Sequence, residues 1–339
     1  MDSSTRVVAV VGATGAVGRE MLEVLEQRAF PYDEIRLMAS SRSAGKEIAV
    51  GERSVVVEDL EEASFEGVDF ALFSAGSSVS KAHAHRAVEA GAVVIDNTSA
   101  FRMDPEVPLV VPEVNAGAID DHQGIIANPN CSTIQMVVAL KPLADTFGLE
   151  RVVVSTYQSA SGAGQSGVEE LMEGARAFLA SEQEPEPSTF AHPLAFEALP
   201  HIDTFEESGY TREELKMVYE TQKIMASPQL EVSATCVRVP VRRSHGEAVT
   251  VDLGQPVTRQ EVIEVWSDQP GLQILDAPEE ARYPLARQAE GTDPCWVGRI
   301  RRDISREATL HFWVVSDNLR KGAALNAVQI AETMIEDVQ

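Results

Sequence analysis

Apolar runs and helical repeats alternate along the first 130 residues. Residues 6–11 form a continuous apolar run that is typical of a buried parallel strand, and the apolar positions 17, 21, 22 and 25 after the next turn have helical spacing. Short apolar segments at residues 35–38, 68–73, 93–95 and 124–127, with a helical pattern between residues 79 and 90, continue the alternation. Strands alternating with helices predict an α/β fold built on a doubly wound parallel sheet.

A different pattern begins near residue 128. A helical repeat over residues 133–146 is followed by strand-like segments at residues 151–157, 232–239, 248–253 and 308–315. The last two segments alternate between apolar and polar positions, which is typical of a half-buried antiparallel sheet. The sequence therefore predicts a second domain of the α+β class.

Two segments fall outside this scheme. Residues 181–209 are rich in Glu and Pro with scattered aromatic residues, which favours a long surface excursion that serves as a lid or a subunit contact. Residues 321–338 are apolar at helical spacing and are expected to pack back on the first domain. The predicted domains are residues 1–127 plus 318–339, and residues 128–317.

The charge balance narrows the classes of function. The chain has 339 residues, enough for about two domains, and its 53 acidic and 28 basic residues give a net charge of −25. Phosphate backbones need a basic surface, so a nucleic-acid partner is not expected. Because only six basic residues are Lys, two interpretations stay open: an acidic surface suited to a high-salt cytoplasm, or an unusually acidic mesophilic protein.

The cysteines indicate a reducing compartment, and the histidines do not indicate a metal site. Cys131, Cys236 and Cys295 are an odd number without paired spacing, which makes a disulfide framework improbable. His83 and His85, two residues apart on a predicted helix, point in different directions and make a poor metal pair. The sequence has no secretion signal and no apolar run near 18 residues, so a cytoplasmic protein without a membrane partner is expected.

A glycine motif follows the first predicted strand. Gly12-Ala-Thr-Gly15-Ala-Val-Gly18 has the spacing G-x-x-G-x-x-G, which lets a pyrophosphate approach the backbone at a helix N-terminus. Tight strand-to-helix turns use glycine for conformational reasons too. The position directly after the first strand favours a dinucleotide site.

The end of the second predicted strand indicates which dinucleotide. NAD enzymes usually place Asp or Glu there for the ribose 2′-hydroxyl, whereas this chain has Ser40, Ser41, Arg42 and Ser43, with Lys46 nearby. Hydroxyls and cations without a carboxylate suit a 2′-phosphate, so NADP is the expected cofactor. A solvated polar loop is the alternative.

One cysteine stands at a strand-to-helix boundary. In Asn-Pro-Asn-Cys-Ser-Thr, Cys131 precedes an apolar helical repeat, where unpaired backbone N–H groups and the helix dipole favour a thiolate and can hold an oxyanion. This is the environment of a nucleophile, although a lone cysteine is more often a small core residue. Cys236 and Cys295 fit that core interpretation better.

Charged residues further along the chain offer partners for a nucleophile and a substrate. His245 is a candidate base or a surface histidine, and Arg238 stands on a strand face with small neighbours that leave room for an anion. Glu220 and Lys223 share a helix face, where an ordinary surface ion pair is the alternative. Arg102 lies in a loop expected near the carboxyl edge of the sheet, where ligands bind.

Together these residues resemble the aspartate-β-semialdehyde dehydrogenase family along nearly the whole chain. The matching motifs lie at residues 12–18, 40–46, 96–102, 128–133, 157–164, 220–223, 238–245 and 318–322. The most specific are the Asn-Pro-Asn-Cys-Ser-Thr motif and the Arg-x6-His spacing of Arg238 and His245. The resemblance implies a Rossmann-type NADP-binding domain, a catalytic and dimerisation domain, and a homodimer.

The resemblance also implies a reaction. The family reduces L-aspartyl-4-phosphate with NADPH to aspartate semialdehyde and phosphate, reversibly, on the route to lysine through diaminopimelate and to threonine, methionine and isoleucine. By resemblance, Cys131 is the nucleophile that forms an acyl-thioester, His245 is the acid/base and Gln158 orients the acyl group. Arg238 is expected to bind the substrate carboxylate and Glu220 its ammonium.

The remaining roles follow from the same resemblance. Arg102 and Lys223 are expected to bind phosphate. The residues expected at the cofactor are Gly12, Thr14, Gly15, Ala16, Val17, Gly18, Ser40, Ser41, Arg42, Ser161, Gly162 and Asn318.

Four other functions share parts of this pattern, and one of them, a plain thiol hydrolase, would leave the glycine turn and residues 40–42 without a purpose. N-acetylglutamyl-phosphate reductase carries Pro-Gly-Cys-Tyr-Pro-Thr around its cysteine, which this chain lacks. A malonyl- or succinyl-coenzyme A reductase shares the scaffold, but Glu220 favours a substrate with an ammonium group. A catalytically silent NADP-binding subunit would bind the dinucleotide with an unreactive Cys131.

Overall fold

The computed structural model describes residues 6–336, which divide into two compact units. The first unit runs to Asn130 and resumes at Ala323, and the second is Cys131–Gly322. The predicted boundaries at residues 127 and 317 lie three and five residues before the ends of the first segment and the second unit.

The strands are β1 (Val7–Val11), β2 (Glu34–Ala39), β3 (Glu47–Val50), β4 (Arg53–Asp59), β5 (Phe70–Phe73), β6 (Val93–Asp96), β7 (Ile125–Ala127), β8 (Leu149–Gln158), β9 (Glu231–Arg238), β10 (His245–Leu253), β11 (Leu272–Ile274), β12 (Cys295–Arg302) and β13 (Thr309–Ser316). The α-helices are α1 (Ala16–Gln27), α2 (Ser77–Glu89), α3 (Pro112–Asn115), α4 (Cys131–Phe147), α5 (Gln165–Leu179), α6 (Arg212–Ile224), α7 (Arg259–Ser267), α8 (Ala286–Ala289) and α9 (Leu325–Glu336).

The first unit is a seven-stranded sheet in the order β3-β4-β2-β1-β5-β6-β7. All neighbours pair in parallel except β3 and β4. Strand β1 is buried along almost its whole length because helices cover both faces of such a sheet. The terminal helix α9 packs into the same core, with Leu325, Val328 and Ile330 buried.

The second unit contains a six-stranded sheet in the order β11-β12-β13-β10-β8-β9. Strand β10 pairs antiparallel with both β13 and β8, and its burial alternates as the sequence predicts. Strands β8 and β9 are parallel, so this sheet is mixed. The predicted fold class, a Rossmann-type doubly wound parallel sheet with a second α+β domain, is confirmed.

Three parts of the fold differ from the sequence pattern. The hairpin of β3 and β4 and the pair β11 and β12 were not predicted, because their residues are partly exposed and lack a continuous apolar run. Helix α4 begins two residues earlier than predicted, at Cys131 itself. Between α5 and α6 the structure has no regular element, as expected for the excursion. None of the helices in the described part of the chain is both long and apolar enough to cross a membrane.

The core of the second unit holds one buried acid. Glu247 on β10 is fully buried, lies opposite Thr156 on β8, and neither carboxyl oxygen has a hydrogen bond to any described group. Burial raises the pKa of Glu247 well above its usual value, and the nearby amide of Gln135 on α4 offsets this only in part. Burial therefore favours the neutral, protonated form of the Glu247 carboxyl group in the folded protein.

This neutrality gives the folding free energy a pH dependence. Above the ordinary glutamate pKa of 4.5, the unfolded chain loses the proton that folded Glu247 keeps. Stability then falls by about 1.4 kcal/mol per pH unit until the folded group ionises. The variant Glu247→Gln cannot ionise, so its stability relative to the native chain should rise between pH 5 and pH 8.

Urea denaturation midpoints at each pH measure this difference. The slope with pH is the readout, because any packing cost of the new amide is independent of pH. Glu150→Gln is the matched control, since Glu150 is exposed on the neighbouring strand. Parallel pH curves for the native chain and Glu247→Gln would show that Glu247 is ionised when folded.

Candidate active site

The glycine turn of the first unit connects β1 to α1. Gly12 has a φ of +91°, and a Cβ on it would lie 2.9 Å from the backbone nitrogen of Ala75. A Cβ on Gly18 would collide with the carbonyl oxygen of Gly12. Helix α1 begins at Ala16, and its N-cap residue, Gly15, makes no side-chain capping hydrogen bond. The first N–H groups of α1 thus remain available to a ligand, which fits a pyrophosphate.

The second predicted cofactor segment lies beside this turn. Ser40, Ser41 and Arg42 are exposed directly after β2, which pairs in parallel with β1. The backbone nitrogen of Gly12 donates a hydrogen bond of 2.8 Å to the carbonyl oxygen of Met38, near the end of β2. The structure therefore brings both segments to the carboxyl edge of one sheet. Three further residues expected at the cofactor are half-buried: Thr14 in the turn, and Ala16 and Val17 at the start of α1.

Arg102 lies in an irregular loop after β6 of the first unit and is buried. Its Nε donates to the carbonyl oxygen of Asn128, and its Nη2 donates to that of Asn97, both at 2.9 Å. Two backbone carbonyls thus hold the guanidinium in place before any anion binds.

In the second unit, one row of side chains crosses the face of the mixed sheet. Arg238 on β9 is opposite Gln158 on β8, and His245 on β10 is opposite Ser316 on β13. Gly246 is opposite Tyr157, so His245 falls next to Gln158. Register between distant strands therefore assembles three of the residues that the sequence analysis selected.

His245 is fully buried, and its ring is held by the turn after β8. The backbone nitrogen of Ser159 donates to Nδ1 at 3.0 Å, and the Ser159 hydroxyl oxygen lies 3.1 Å from the same atom. A backbone N–H can only donate, so Nδ1 is the acceptor and the hydrogen of the neutral ring is on Nε2. Nε2 is buried without a hydrogen-bond partner among the described groups.

The electrostatic surroundings keep His245 neutral. Burial and the charge of Arg238 lower its pKa from 6.5 to about 3, against the smaller effects of Glu213 and the Ser244 backbone. An imidazole with Nε2–H and no charge is a hydrogen-bond donor rather than a base in this state.

Arg238 is buried beside the same turn. Its Nη1 donates to the carbonyl oxygen of Ser159 at 2.7 Å, and a Cβ on Gly162 would lie 2.6 Å from Nη1. Burial lowers the pKa of Arg238, while Glu213 and the thiolate charge of Cys131 raise it. The guanidinium is a buried cation within electrostatic range of the predicted nucleophile.

Cys131 begins α4 and is half-buried, as the strand-to-helix pattern predicts. Its Cβ is so close to Gly322 that a side chain there would lie 2.8 Å away. One turn further along α4, Gln135 accepts a hydrogen bond of 2.6 Å from the Ser316 hydroxyl group. This contact ties α4 to the row that contains His245.

Gln158 and Glu213 form a pair that the sequence analysis missed. The amide nitrogen of Gln158 donates to Glu213 at 3.2 Å and to the Thr156 hydroxyl at 3.3 Å. Glu213 also accepts from Lys216 at 3.1 Å. Glu213 lies on the same face of α6 as buried Glu220 and half-buried Lys223, at helical spacings of seven and ten residues, and that periodicity could have identified it.

Ser161 and Asn318 lie together next to His245. Oδ1 of Asn318 accepts hydrogen bonds from the Ser161 hydroxyl at 3.0 Å, the Ser159 hydroxyl at 3.2 Å and the Ser244 backbone at 2.9 Å. Gly162 is exposed in the same turn. Ser159 is the second residue that sequence analysis missed, because a serine within a turn carries no spacing signal.

The chain resembles known proteins over nearly its whole length. Residues 7–122 match the family model of the semialdehyde dehydrogenase NAD binding domain, and residues 140–321 match that of the semialdehyde dehydrogenase dimerisation domain. The chain is 53% identical to aspartate-semialdehyde dehydrogenase of Aquifex aeolicus over 97% of its length and 98% of that protein. It is 50% identical to the Bacillus subtilis enzyme over 96% of each chain.

Solved structures of aspartate-semialdehyde dehydrogenases have the same fold as this chain. The crystal structure of aspartate semialdehyde dehydrogenase II from Vibrio cholerae complexed with ASA has a TM-score of 0.96 and 49% identity, covering 99% of both chains. The Candida albicans enzyme with NADP has a TM-score of 0.76 and 26% identity, covering 98% of both chains.

The chain belongs to the aspartate-semialdehyde dehydrogenase family.

In this family member the first unit is an NAD(P)-binding Rossmann domain and the second contains the dimerisation domain. The family identified from the sequence motifs is confirmed. The roles assigned to individual residues, the choice between NAD and NADP, and the assembly stay predictions.

The three thiols of this aspartate-semialdehyde dehydrogenase family member should differ in reactivity. Cys236 and Cys295 are fully buried, and burial raises the pKa of Cys236 well above its usual value. Under native conditions iodoacetamide should therefore modify one thiol, Cys131, as measured by mass spectrometry of peptides. Cys131→Ser should take up no label until denaturant is added. Labelling of Cys236 or Cys295 at the rate of Cys131 would contradict this order.

The tautomer of His245 is a second prediction. Two-bond 15N–1H correlation spectra should show hydrogen on Nε2 and a bare Nδ1, because the Ser159 backbone occupies Nδ1. The signal should stay unchanged from pH 8 to pH 5, since the pKa is lowered to about 3. Loss of the signal in His245→Asn assigns it. Hydrogen on Nδ1, or protonation near pH 6.5, would overturn the assignment.

Proposed function

We propose that this protein reduces L-aspartyl-4-phosphate to L-aspartate-4-semialdehyde and phosphate, reversibly and with NADPH, through an acyl-thioester on Cys131. The observation that carries the proposal is the buried cluster of Arg238, His245 and Gln158 in the unit that presents Cys131 at a helix N-terminus. The Vibrio cholerae relative was solved in complex with ASA, which supports the same substrate class here.

The substrate charges have matching partners. Arg238 binds the α-carboxylate, since it is a buried cation already oriented by the Ser159 carbonyl. Glu220, buried on α6, binds the ammonium group. Arg102 and Lys223 bind the phosphate. In a chain with a net charge of −25, such placed cations are required to hold a doubly anionic substrate.

The covalent steps balance around one sulfur atom. The Cys131 thiolate forms a C–S bond to the acyl carbon, the C–O bond to phosphate breaks and phosphate leaves with the electron pair. After reduction of the thioester carbon, the C–S bond breaks, the aldehyde is released and the thiolate is restored. Gln158, fixed by its bonds to Glu213 and Thr156, orients the acyl group.

His245 assists by hydrogen bonding. Its Nε2–H stabilises the Cys131 thiolate and the oxyanions that form before and after the thioester. The acid/base role implied by the family resemblance requires the ring hydrogen to move from Nε2 to Nδ1, away from its resting position. Carboxylate binding at Arg238 offsets a charge that lowers the pKa of His245, so substrate makes the ring more basic.

The dinucleotide-binding turn fits NADP. Ser40, Ser41 and Arg42 offer hydroxyls and one cation at the end of β2, and the Candida albicans relative was solved with NADP. NADPH bound there supplies the hydride. Gly12, Gly15 and the first N–H groups of α1 hold the pyrophosphate, and Ser161, Gly162 and Asn318 complete the cofactor contacts.

Membership of the family supports a proposal for the assembly, the compartment and the pathway. We propose a homodimer formed through the second unit, whose matched family model is a dimerisation domain. The protein works in the cytoplasm on the route to lysine through diaminopimelate and to threonine, methionine and isoleucine. Small molecules, and neither nucleic acid nor membrane, are its other partners.

Phosphate-dependent reduction of NADP tests the proposal. Aspartate semialdehyde, phosphate and NADP should yield NADPH, followed by its absorbance. Cys131→Ala should lower kcat by about a thousandfold or more, because no thioester can form, and should leave NADP binding unchanged by calorimetry. Cys295→Ala is the control, since that thiol is fully buried on β12, and should retain turnover.

Two other outcomes of this assay would contradict the proposed function. Turnover without phosphate indicates another acyl acceptor, and no turnover with intact NADP binding indicates a silent binding protein. Repeating the assay in molar KCl separates the two interpretations of the acidic surface, since only a protein adapted to high salt gains activity there.

A further inference from the structure

The excursion between α5 and α6 is attached to the strand that carries Arg238. The backbone nitrogen of Leu199 donates to the carbonyl oxygen of Arg238 at 2.9 Å, and the nitrogen of Arg238 donates to Leu199 at 2.8 Å. This antiparallel bridge extends the sheet by one short contact beyond β9. Residues without regular structure are thereby held beside a proposed substrate-binding residue.

A single carboxylate anchors the middle of the excursion. Glu170 on α5 accepts hydrogen bonds from the backbone of Ser188 at 2.9 Å and its hydroxyl at 3.0 Å, from the backbone of Thr189 at 2.7 Å and from that of Phe190 at 3.3 Å. Burial opposes the ionised form, but these four hydrogen bonds outweigh it and lower the pKa of Glu170. The anchor is therefore ionised at neutral pH and holds three successive residues.

The anchored segment places an aromatic ring against the guanidinium. Cζ of Arg238 lies 5.8 Å from the ring centroid of Phe190, within cation–π range. The ring packs against a small buried cluster that includes Leu171 and Leu199. A Cβ on Gly167 would lie 3.0 Å from Cζ of Phe190, so a side chain there would crowd the ring.

The two sides of Arg238 have different partners. Nη1 donates to the Ser159 carbonyl oxygen, and Phe190 covers the guanidinium through its π face. A ring at this position excludes water and restrains the long side chain of Arg238, and both effects reduce the cost of ordering the cation when a carboxylate binds.

We propose that Phe190, held in place by Glu170, orients Arg238 for the carboxylate of the amino-acid substrate. This inference rests on the proposed function, in which Arg238 binds that carboxylate. Phe190 acts on Arg238, and Glu170 acts only through Phe190, as a positioning residue.

Steady-state kinetics of the full enzyme test this arrangement. Phe190→Leu keeps an apolar side chain and removes the π face, so KM for aspartate semialdehyde should rise about fivefold to tenfold, the size that a partly desolvated cation–π contact supports. KM for phosphate and kcat should stay within about twofold. Phe190→Tyr keeps the aromatic ring, so its KM should equal that of the native enzyme. A purely structural defect would lower kcat and would not be rescued by tyrosine.

A second measurement tests whether Glu170 and Phe190 act together on the KM for aspartate semialdehyde. Glu170→Gln should raise the same KM, and the double variant with Phe190→Leu should be no worse than Phe190→Leu alone, because both remove one interaction. Phe196→Leu is the matched control, since Phe196 is an exposed ring in the same segment, and should leave KM unchanged.

The outcomes separate the two levels of the proposal. If Arg238→Ala leaves KM for aspartate semialdehyde unchanged, the carboxylate role of Arg238 in the proposed function is wrong. If Arg238→Ala raises that KM but Phe190→Leu does not, or if the Phe190 and Glu170 effects add fully, the inference about Phe190 is wrong and the proposed function stands.

Discussion

Burial of a guanidinium, an imidazole and a carboxamide side by side on one sheet face is the constraint on which the second unit depends. Each of Arg238, His245 and Gln158 is removed from water, and a buried polar group is costly unless the protein itself supplies hydrogen bonds. The turn after β8 supplies two of them from one residue. Ser159 gives its carbonyl oxygen to Arg238 and its N–H to His245. The loop that follows β13 adds Asn318, which fixes the same turn.

Electrostatic coupling then links these groups to one another. Arg238 and burial together lower the pKa of His245, while Glu213 raises it. The same Glu213 and the Cys131 thiolate raise the pKa of Arg238 against the effect of its burial. A ligand carboxylate that binds Arg238 therefore changes the pKa of His245 as well as that of Arg238. Salt screens exposed charges more than about 10 Å away, whereas interactions between buried groups are screened much less.

The sequence predicted the elements with a strong local signal and missed those without one. The apolar run of β1, the glycine turn and the helix at Cys131 each have their pattern within a few consecutive residues. Strand β1 and the turn lie where they were expected, and the helix begins two residues earlier than predicted. The hairpin of β3 and β4 was missed because its strands are short and partly exposed. Ser159 and Phe190 were missed because each acts on a residue far away in the chain and has no distinctive spacing to that partner. Glu213 shares a helix face with Glu220 and Lys223, but that spacing does not reveal its contact with Gln158.

The sequence by itself determined the fold class, the family and the residue types of the candidate site, because periodicity and short motifs are local properties of the chain. Only the tertiary structure decided which of those residues meet, which atom of His245 carries the hydrogen, and that Glu247 is fully buried. These depend on the register between β8, β9, β10 and β13, which brings residues as far apart in the chain as Gln158 and Ser316 to either side of His245. Register and burial are set by packing across the whole unit, so no short window of sequence contains them.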